Sequence, residues 1–280
     1  MEASKVAVVT GSNKGIGFAI VKALCQKFEG VVYLTARDES RGKAAVAELN
    51  KLKLNPEFHL LDITCKKSIA KFADFIKTRH GGLDVLVNNA AIAFKRSATE
   101  PFSEQAEVTV AVNYFALVDV CEALFPLLRP HARVVHISSS EGHLLKIPST
   151  RVQERFKDPS LTVLKLNDLM HEFVKLAAEG KNKEAGWGQS AYVVSKVGVS
   201  ALSIIQQRQF DTDPRPGITV NAVHPGYVDT DMTSHTGPLT IEQGADAPVH
   251  MALWPVEENA PRGQYVWYDR KIVSWTEPIN

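Results

Sequence analysis

Thr10-Gly-Ser-Asn-Lys-Gly-Ile-Gly17 is the stretch on which the reading of this 280-residue chain turns. It follows a continuous apolar run, Val6 to Val9, and opens a stretch of helical periodicity from about Gly15 to Phe28. Glycine is needed where a chain turns tightly and where backbone must approach a pyrophosphate with no Cβ in the way. The helix that follows presents unpaired N–H groups and partial positive charge to phosphate oxygens. The plainer alternative is a glycine-rich strand-to-helix turn that binds nothing. A strand before, a helix after and a place near the start of the chain favour a bound dinucleotide. Gly11, Asn13, Lys14, Gly15, Ile16 and Gly17 are the expected contacts.

Outward from the turn, short apolar runs recur at Val31 to Leu34, Phe58 to Leu61, Val85 to Val87, Val134 to Ile137 and Ile218 to Val220. Continuous apolar runs suit strands buried on both faces of a parallel sheet. Helical stretches are expected between them, at about Ser40 to Leu52, Lys66 to Arg79 and Ser103 to Leu128. The alternation predicts an α/β fold: one doubly wound, Rossmann-type parallel sheet with helices on both faces. No repeat or linker divides the chain, so residues 1–280 are expected to form a single domain. The rhythm breaks between about Gly142 and Trp187, a polar stretch containing Pro148 and Asp158-Pro159. Inside it Leu166, Leu169, Met170, Phe173, Val174 and Ala177 fall at helical spacing, with Gly180 as a stop signal. Segments this long within a domain are functional or carry their own structure. The expectation is a helical insertion, its apolar stripe part of the core.

A formal net charge of +1 gives no electrostatic basis for nucleic acid or an anionic membrane as the main partner. Cys25, Cys65 and Cys121 lack CxxC spacing and read as reduced, buried thiols of a cytosolic protein. Met1-Glu-Ala-Ser-Lys5 runs straight into a short strand, which is neither a secretory leader nor a membrane span, and no later span is expected. A cytoplasmic protein follows. The nine histidines are scattered without ligand spacing, so no metal is expected, and His136 and His224 read as structural histidines.

A NAD site usually carries an acid about 20 residues past the glycines, to hold the ribose diol. Here the second strand ends in Thr35-Ala36-Arg37, and Lys14 lies within the glycine turn. Two cations suit a 2′-phosphate, favouring NADP(H), although either could be a solvated surface charge and Asp38 could partly play the acidic role. Of six tyrosines, only Tyr192 has a lysine four residues on, Lys196. A helix from Ser190 to Gln209 puts both on one face. A phenol with a pKa near 10 is a poor acid–base group at neutral pH, and a neighbouring ammonium lowers that value. Alone, the pair would be an ordinary surface contact. Val134-Val-His-Ile-Ser-Ser139 adds hydroxyls at the carboxyl end of a buried strand, where open α/β sheets place ligands.

With these residues assembled, the chain resembles the short-chain dehydrogenase/reductase family. The match runs from the turn at Thr10 to Gly17 through Asp62, Asn88-Asn89-Ala90, Asn113, Ser139, and Tyr192 with Lys196, to Pro225-Gly226 and Thr230. It covers nearly the whole chain in the family's order. Val31 to Asp38, Gly82 to Asn89, Gln105 to Val108 and the insertion most resemble the monomeric NADPH-dependent carbonyl reductases of animals. The resemblance implies that Tyr192 donates a proton to the substrate carbonyl oxygen, that Ser139 hydrogen-bonds the same oxygen, and that Lys196 holds the nicotinamide ribose. It implies a water anchored by Asn113. Asp62 and Ile63 would meet the adenine and Asn89 the adjacent ribose, while Pro225, Gly226, Val228 and Thr230 would meet the carboxamide. Glu141, His224 and Tyr227 are expected at the substrate pocket, where animal carbonyl reductases are more apolar, and Ala91 replaces a glycine. The expected function is NADPH-dependent reduction of ketones, aldehydes or quinones to alcohols. The alternatives are a narrow steroid, prostaglandin or alkaloid ketone reductase, and a catalytically weak NADP(H)-sensing protein. The insertion should cover a face that relatives use for pairing, favouring a monomer.

Overall fold

Along the first strand, successive side chains leave on opposite faces, and both faces are dry. Ala7 and Val9 join one apolar cluster while Val6 and Val8 join another. A computed structural model describes residues 4–95, 97–256 and 259–279. Of the opening residues read for a leader, Met1 to Ala3 lie outside those described. The strands are β1 Lys5–Val9, β2 Gly30–Ala36, β3 Glu57–Leu60, β4 Leu83–Asn88, β5 Leu128–Ile137, β6 Thr219–Val223, β7 Tyr265–Val266 and β8 Ile272–Val273. They form one sheet in the order β3-β2-β1-β4-β5-β6-β7-β8. The pairings from β3 to β7 are parallel, and β8 returns antiparallel on β7. The expected doubly wound sheet is therefore present. The strands β7 and β8, two residues each, carry too little periodicity to be read in advance.

Helices α1 Gly15–Lys27, α2 Glu39–Lys51 and α9 Ile241–Ala252 cover the face of Ala7 and Val9. Helix α3 Lys66–His80 covers the other face with a long helix and with α8 Ala191–Phe210. The order of β1 and β4 reverses the winding, leaving a crevice at their carboxyl ends.

The long helix departs from expectation twice. It runs as α4 Phe102–Val110, a π-helical turn Ala111–Phe115, α5 Ala116–Leu124 and a 3₁₀ turn Phe125–Leu127. Contrary to the sequence reading, Phe102–Leu127 is long and apolar enough to cross a membrane by length and composition. In the fold, however, Ala106, Val110, Tyr114, Leu117 and Cys121 are packed in the core.

The insertion forms α6 Thr150–Lys157 and α7 Val163–Ala178. Leu166, Leu169, Met170, Phe173 and Ala177 of α7 are buried in one cluster with residues of α4 and α8, as expected for core; Val174 is half-buried. Gly180, at φ +69°, closes α7. Arg155 of α6 donates two hydrogen bonds, of 2.6 and 2.5 Å, to the Glu172 carboxylate of α7. The cysteines correct the sequence reading: Cys121 is buried, Cys25 half-buried and Cys65 exposed.

Candidate active site

The glycine turn is braced from beneath. Asn89, just past β4, donates through Nδ2 to the carbonyls of Thr10 at 3.0 Å and Gly11 at 2.9 Å. The amides of Asn89 and Ala90 both donate to Thr10 Oγ1. A Cβ on Gly17 would lie 2.5 Å from Asn89 Nδ2 and 2.8 Å from Ser12 Cα, so the close approach requires glycine. Gly11 has φ +59°, and its Cβ would lie 2.8 Å from that of Ala90. The Asn89 amide is thus spent on the turn, although the residue still faces the cleft expected to hold a ribose.

Helix α1 starts without a side-chain cap and without an acid in its first turn, so its orphan N–H groups face outward for an anion. They open on a cleft of about 610 Å³ whose walls include Gly11, Asn13, Lys14, Gly15, Ile16, Gly17, Arg37, Asp62, Ile63, Asn89 and Thr230. Uncapped amides, a cradle that a Cβ would fill, and Arg37 on the cleft wall fit a phosphorylated dinucleotide. Asp38, the acid that could have held a ribose diol, is engaged elsewhere. It caps α2, accepting from Arg41 N at 2.9 Å and Ser40 Oγ at 2.7 Å, which holds its carboxyl below the usual range. Asp62 accepts from Thr64 N and Oγ1 at 2.9 and 2.7 Å. Lys14 spans the cleft mouth to Asp231 at 2.5 Å, a partner with no sequence signature.

The candidate catalytic group, Ser139, Tyr192 and Lys196, is assembled by the end of β5 and by α8. Ser190 caps α8 by accepting from Val193 N at 3.2 Å. Tyr192 and Lys196 follow one turn apart, with Lys196 Nζ 5.7 Å from the centre of the Tyr192 ring. Three serines follow β5, and each has a different partner. Ser138 Oγ is buried against Ser200 Oγ at 2.8 Å. Ser140 offers its amide to His224. Ser139 Oγ accepts from Glu141 N at 3.2 Å, and of the three serines it is the one that acts on the Tyr192 phenol.

The electrostatics differ from expectation. Burial pushes the Tyr192 phenol up to about 12; the Ser139 hydrogen bond draws it partly back and the Glu141 carboxylate raises it. Lys196 donates to the Ile137 carbonyl at 2.8 Å, and burial pulls its ammonium down to about 8. The expected lowering of the phenol by Lys196 is not found: burial raises it, and it is Ser139 that draws it back.

Asn113 sits on the π turn. Its Oδ1 accepts from Ile92 N at 2.8 Å, and its Nδ2 donates to Ile92 O at 2.9 Å and Ser195 Oγ at 3.1 Å. Ser195 Oγ in turn donates to the Tyr192 carbonyl at 2.8 Å. Asn113 thereby ties the cleft wall to the catalytic helix.

The substrate-pocket candidates divide. Glu141, paired with Lys146 at 3.0 Å, is close enough to act on Tyr192. Tyr227 is half exposed, with its hydroxyl on Thr236. His224 is buried, and its Nδ1 accepts from Ser140 N at 2.9 Å and Gly226 N at 3.3 Å, so it works on backbone. Gly226 has φ +90°, Val228 is buried beside Leu239, and Pro225 and Thr230 lead across to the cleft. His136 is a satisfied structural histidine, as expected, between Asn88 Nδ2 at 3.1 Å and Gln206 Oε1 at 2.7 Å. Ser195, Asp231 and Tyr265 were missed, because nothing local in the sequence marks a long-range partner.

The sequence profile of the short chain dehydrogenase family matches residues 5–150. Carbonyl reductase [NADPH] 3 of Rattus norvegicus is 48% identical over 274 residues, covering 97% of this chain and 99% of its own. Carbonyl reductase [NADPH] 1 of Sus scrofa is 46% identical over 278 residues, covering 98% and 96%. The structure of salutaridine reductase from Papaver somniferum superposes with a TM-score of 0.83 at 32% identity, covering 95% of this chain and 99% of that one.

Proposed function

The chain belongs to the short chain dehydrogenase family, and on that premise we propose that it is an NADPH-dependent carbonyl reductase of ketones, aldehydes or quinones. The observation that carries the reading is Tyr192 with Lys196 Nζ 5.7 Å from the centre of its ring, one turn along α8, and Ser139 close enough to draw its phenol down. In this scheme the turn from Gly11 to Gly17 holds the pyrophosphate, and Lys14 and Arg37 the 2′-phosphate. Asp62, Ile63 and Asn89 line the adenosine half; Lys196, Pro225, Gly226, Val228 and Thr230 hold the nicotinamide half. When bound, NADPH supplies the hydride for the carbonyl carbon.

The protein supplies the proton and the charge stabilisation. Tyr192, kept protonated by burial, gives its proton to the carbonyl oxygen as charge develops there. Ser139 donates a hydrogen bond to that oxygen, which is worth more in a desolvated site than in water. The Lys196 ammonium over the ring stabilises the phenolate left behind. Asn113 holds Ser195, and through it the turn of α8 that carries Tyr192.

The test is NADPH oxidation with menadione, isatin and an aliphatic ketone. Tyr192→Phe and Ser139→Ala should each lower turnover by about 10²-fold or more while NADPH still binds. A Tyr192→Phe protein that keeps most of the parent turnover refutes the scheme. A narrower reading, reduction of one alkaloid-like ketone, draws support from the likeness to salutaridine reductase. Strongly unequal efficiencies across the panel would favour it.

We further propose a cytoplasmic monomer. Its support is the insertion: α7 packs on α4 and α8 and so occupies the face that pairing through these helices would need.

A further inference from the structure

The peptide unit between Ser139 and Ser140 is gripped on both edges. Its carbonyl accepts from the Tyr265 hydroxyl, and its N–H donates to His224 Nδ1 at 2.9 Å. Both gripping side chains are buried, at 3% and 7% exposure. Both also stand on neighbouring, paired strands. Tyr265 opens β7 opposite Ala222 of β6, and His224 follows β6 with its own amide on the Val266 carbonyl at 2.8 Å. Trp267 packs edge-on against the two rings, with centroids 4.4 Å from His224 and 6.0 Å from Tyr265.

We propose that His224 and Tyr265 are positioning residues that clamp the Ser139–Ser140 peptide and so aim the Ser139 hydroxyl at the substrate carbonyl oxygen. This rests on the carbonyl reductase reading of the site. The geometry explains how the clamp acts. Ser139 is fully extended, at φ −167° and ψ 165°. Its ψ is defined by the plane of the peptide that follows, so fixing that plane fixes where Cβ points, and the Glu141 amide, donating to Oγ at 3.2 Å, sets the remaining rotation of the hydroxyl. The clamp also requires a particular imidazole: Nδ1 accepts two backbone N–H groups, so the ring is neutral with its proton on Nε2. Burial, which pulls the His224 imidazole down to about 4, keeps it in that form. Without the clamp, only Gly142 N, at 2.9 Å, still holds the Ser139 carbonyl. The serine then samples orientations that waste its hydrogen bond, and small misplacements of reacting groups are expensive in rate.

The experiment is a double-mutant cycle on NADPH-dependent carbonyl turnover. Tyr265→Phe removes one oxygen and keeps the ring; it should lower kcat about tenfold with NADPH affinity unchanged. His224→Phe should do at least as much, and His224→Asn, which returns an acceptor near the Nδ1 position, should recover most of the loss. In a Ser139→Ala background, Tyr265→Phe should cost less than about twofold, because the hydroxyl it aims is gone. Deuterium exchange at the Ser140 amide should rise in His224→Phe and fall back in His224→Asn. A cost for Tyr265→Phe that is equal in both backgrounds overturns the clamp, as does a Tyr265→Phe protein that fails to fold. Inactivity of the unmodified protein toward every carbonyl tested would instead sink the functional reading, and the clamp with it.

Discussion

Replacing Gly17 with alanine tests the brace under the dinucleotide turn. The backbone of Gly17 is not left-handed, so the effect of Gly17→Ala is one of space. The new methyl would stand 2.5 Å from Asn89 Nδ2, 2.8 Å from Ser12 Cα and 2.9 Å from Gly11 O. Ordinary carbon contacts lie at roughly 3.5–4.0 Å, so Asn89 must retreat by about 1 Å. Its hydrogen bonds to Thr10 and Gly11, at 3.0 and 2.9 Å, then pass beyond useful length. Two such bonds are worth about 1 kcal/mol each, and overpacking against backbone adds about 1–3 kcal/mol. A loss of about 3 kcal/mol should lower the melting temperature of the cofactor-free protein by about 6 °C. NADPH affinity, read by fluorescence titration, should fall at least about tenfold. The double variant with Asn89→Ala separates the causes. The two Asn89 bonds are then lost once rather than twice and the contact with Nδ2 is relieved, so its cost should fall at least about 2 kcal/mol short of the sum of the two single costs. A Gly17→Ala protein that melts within a degree of the parent and binds NADPH equally well would refute this account of the turn.

Other consequences follow from the charges. With Lys196 near 8, kcat/KM for NADPH should decline above about pH 8, and Lys196→Arg should move that limb upward; a limb that stays in place contradicts the assignment. The folded value lies below the unfolded one, so the buried ammonium costs stability below pH 8, and the cost fades as pH rises toward 10.5. Lys196→Met should therefore be more stable than the parent in urea at pH 7, by roughly 2–3 kcal/mol, with the gap closing at high pH. Arg37→Asp should cut the NADPH-to-NADH efficiency ratio about 10- to 100-fold, since a charge-assisted bond to a phosphate is replaced by repulsion. An unchanged ratio would mean that Arg37 is a bystander. Light scattering should return the mass of one chain, and a stable tetramer would overturn the reading of α7 as a cover.

The strands β1 to β6 were legible because helices separate them, so periodicity switches at their boundaries; Val6 to Val9 and Val134 to Ile137 are examples. The glycine turn and the Tyr192/Lys196 pair were legible because their chemistry is local. What escaped is non-local. Asp231 reaches Lys14 across 217 positions, and Tyr265 reaches Ser139 across 126, so no spacing announces either contact. The direction of the Tyr192 shift is hidden for a related reason: a lysine four residues away is visible in sequence, whereas the desolvation that raises the phenol belongs to the whole fold. His224 could be placed near the pocket but not assigned its backbone partners.

The π turn at Ala111–Phe115 behaves as a phase shifter in the long helix. Each residue of an α-helix advances the side-chain direction by about 100°, and a π turn absorbs roughly one extra residue without adding a turn. Upstream of it, Ala106 and Val110 face the cluster of the insertion; downstream, Leu117 and Cys121 stay on that cluster while Val120 and Leu124 face that of α3. Asn113 lies at the node, where neither register claims its side chain for apolar packing. A one-residue deletion there would heal the helix into a regular one and leave each half well packed only at the expense of the other. The irregularity is thus a joint between a half-helix that serves one core and a half-helix that serves two, and Tyr192 is tied to it through Asn113 and Ser195.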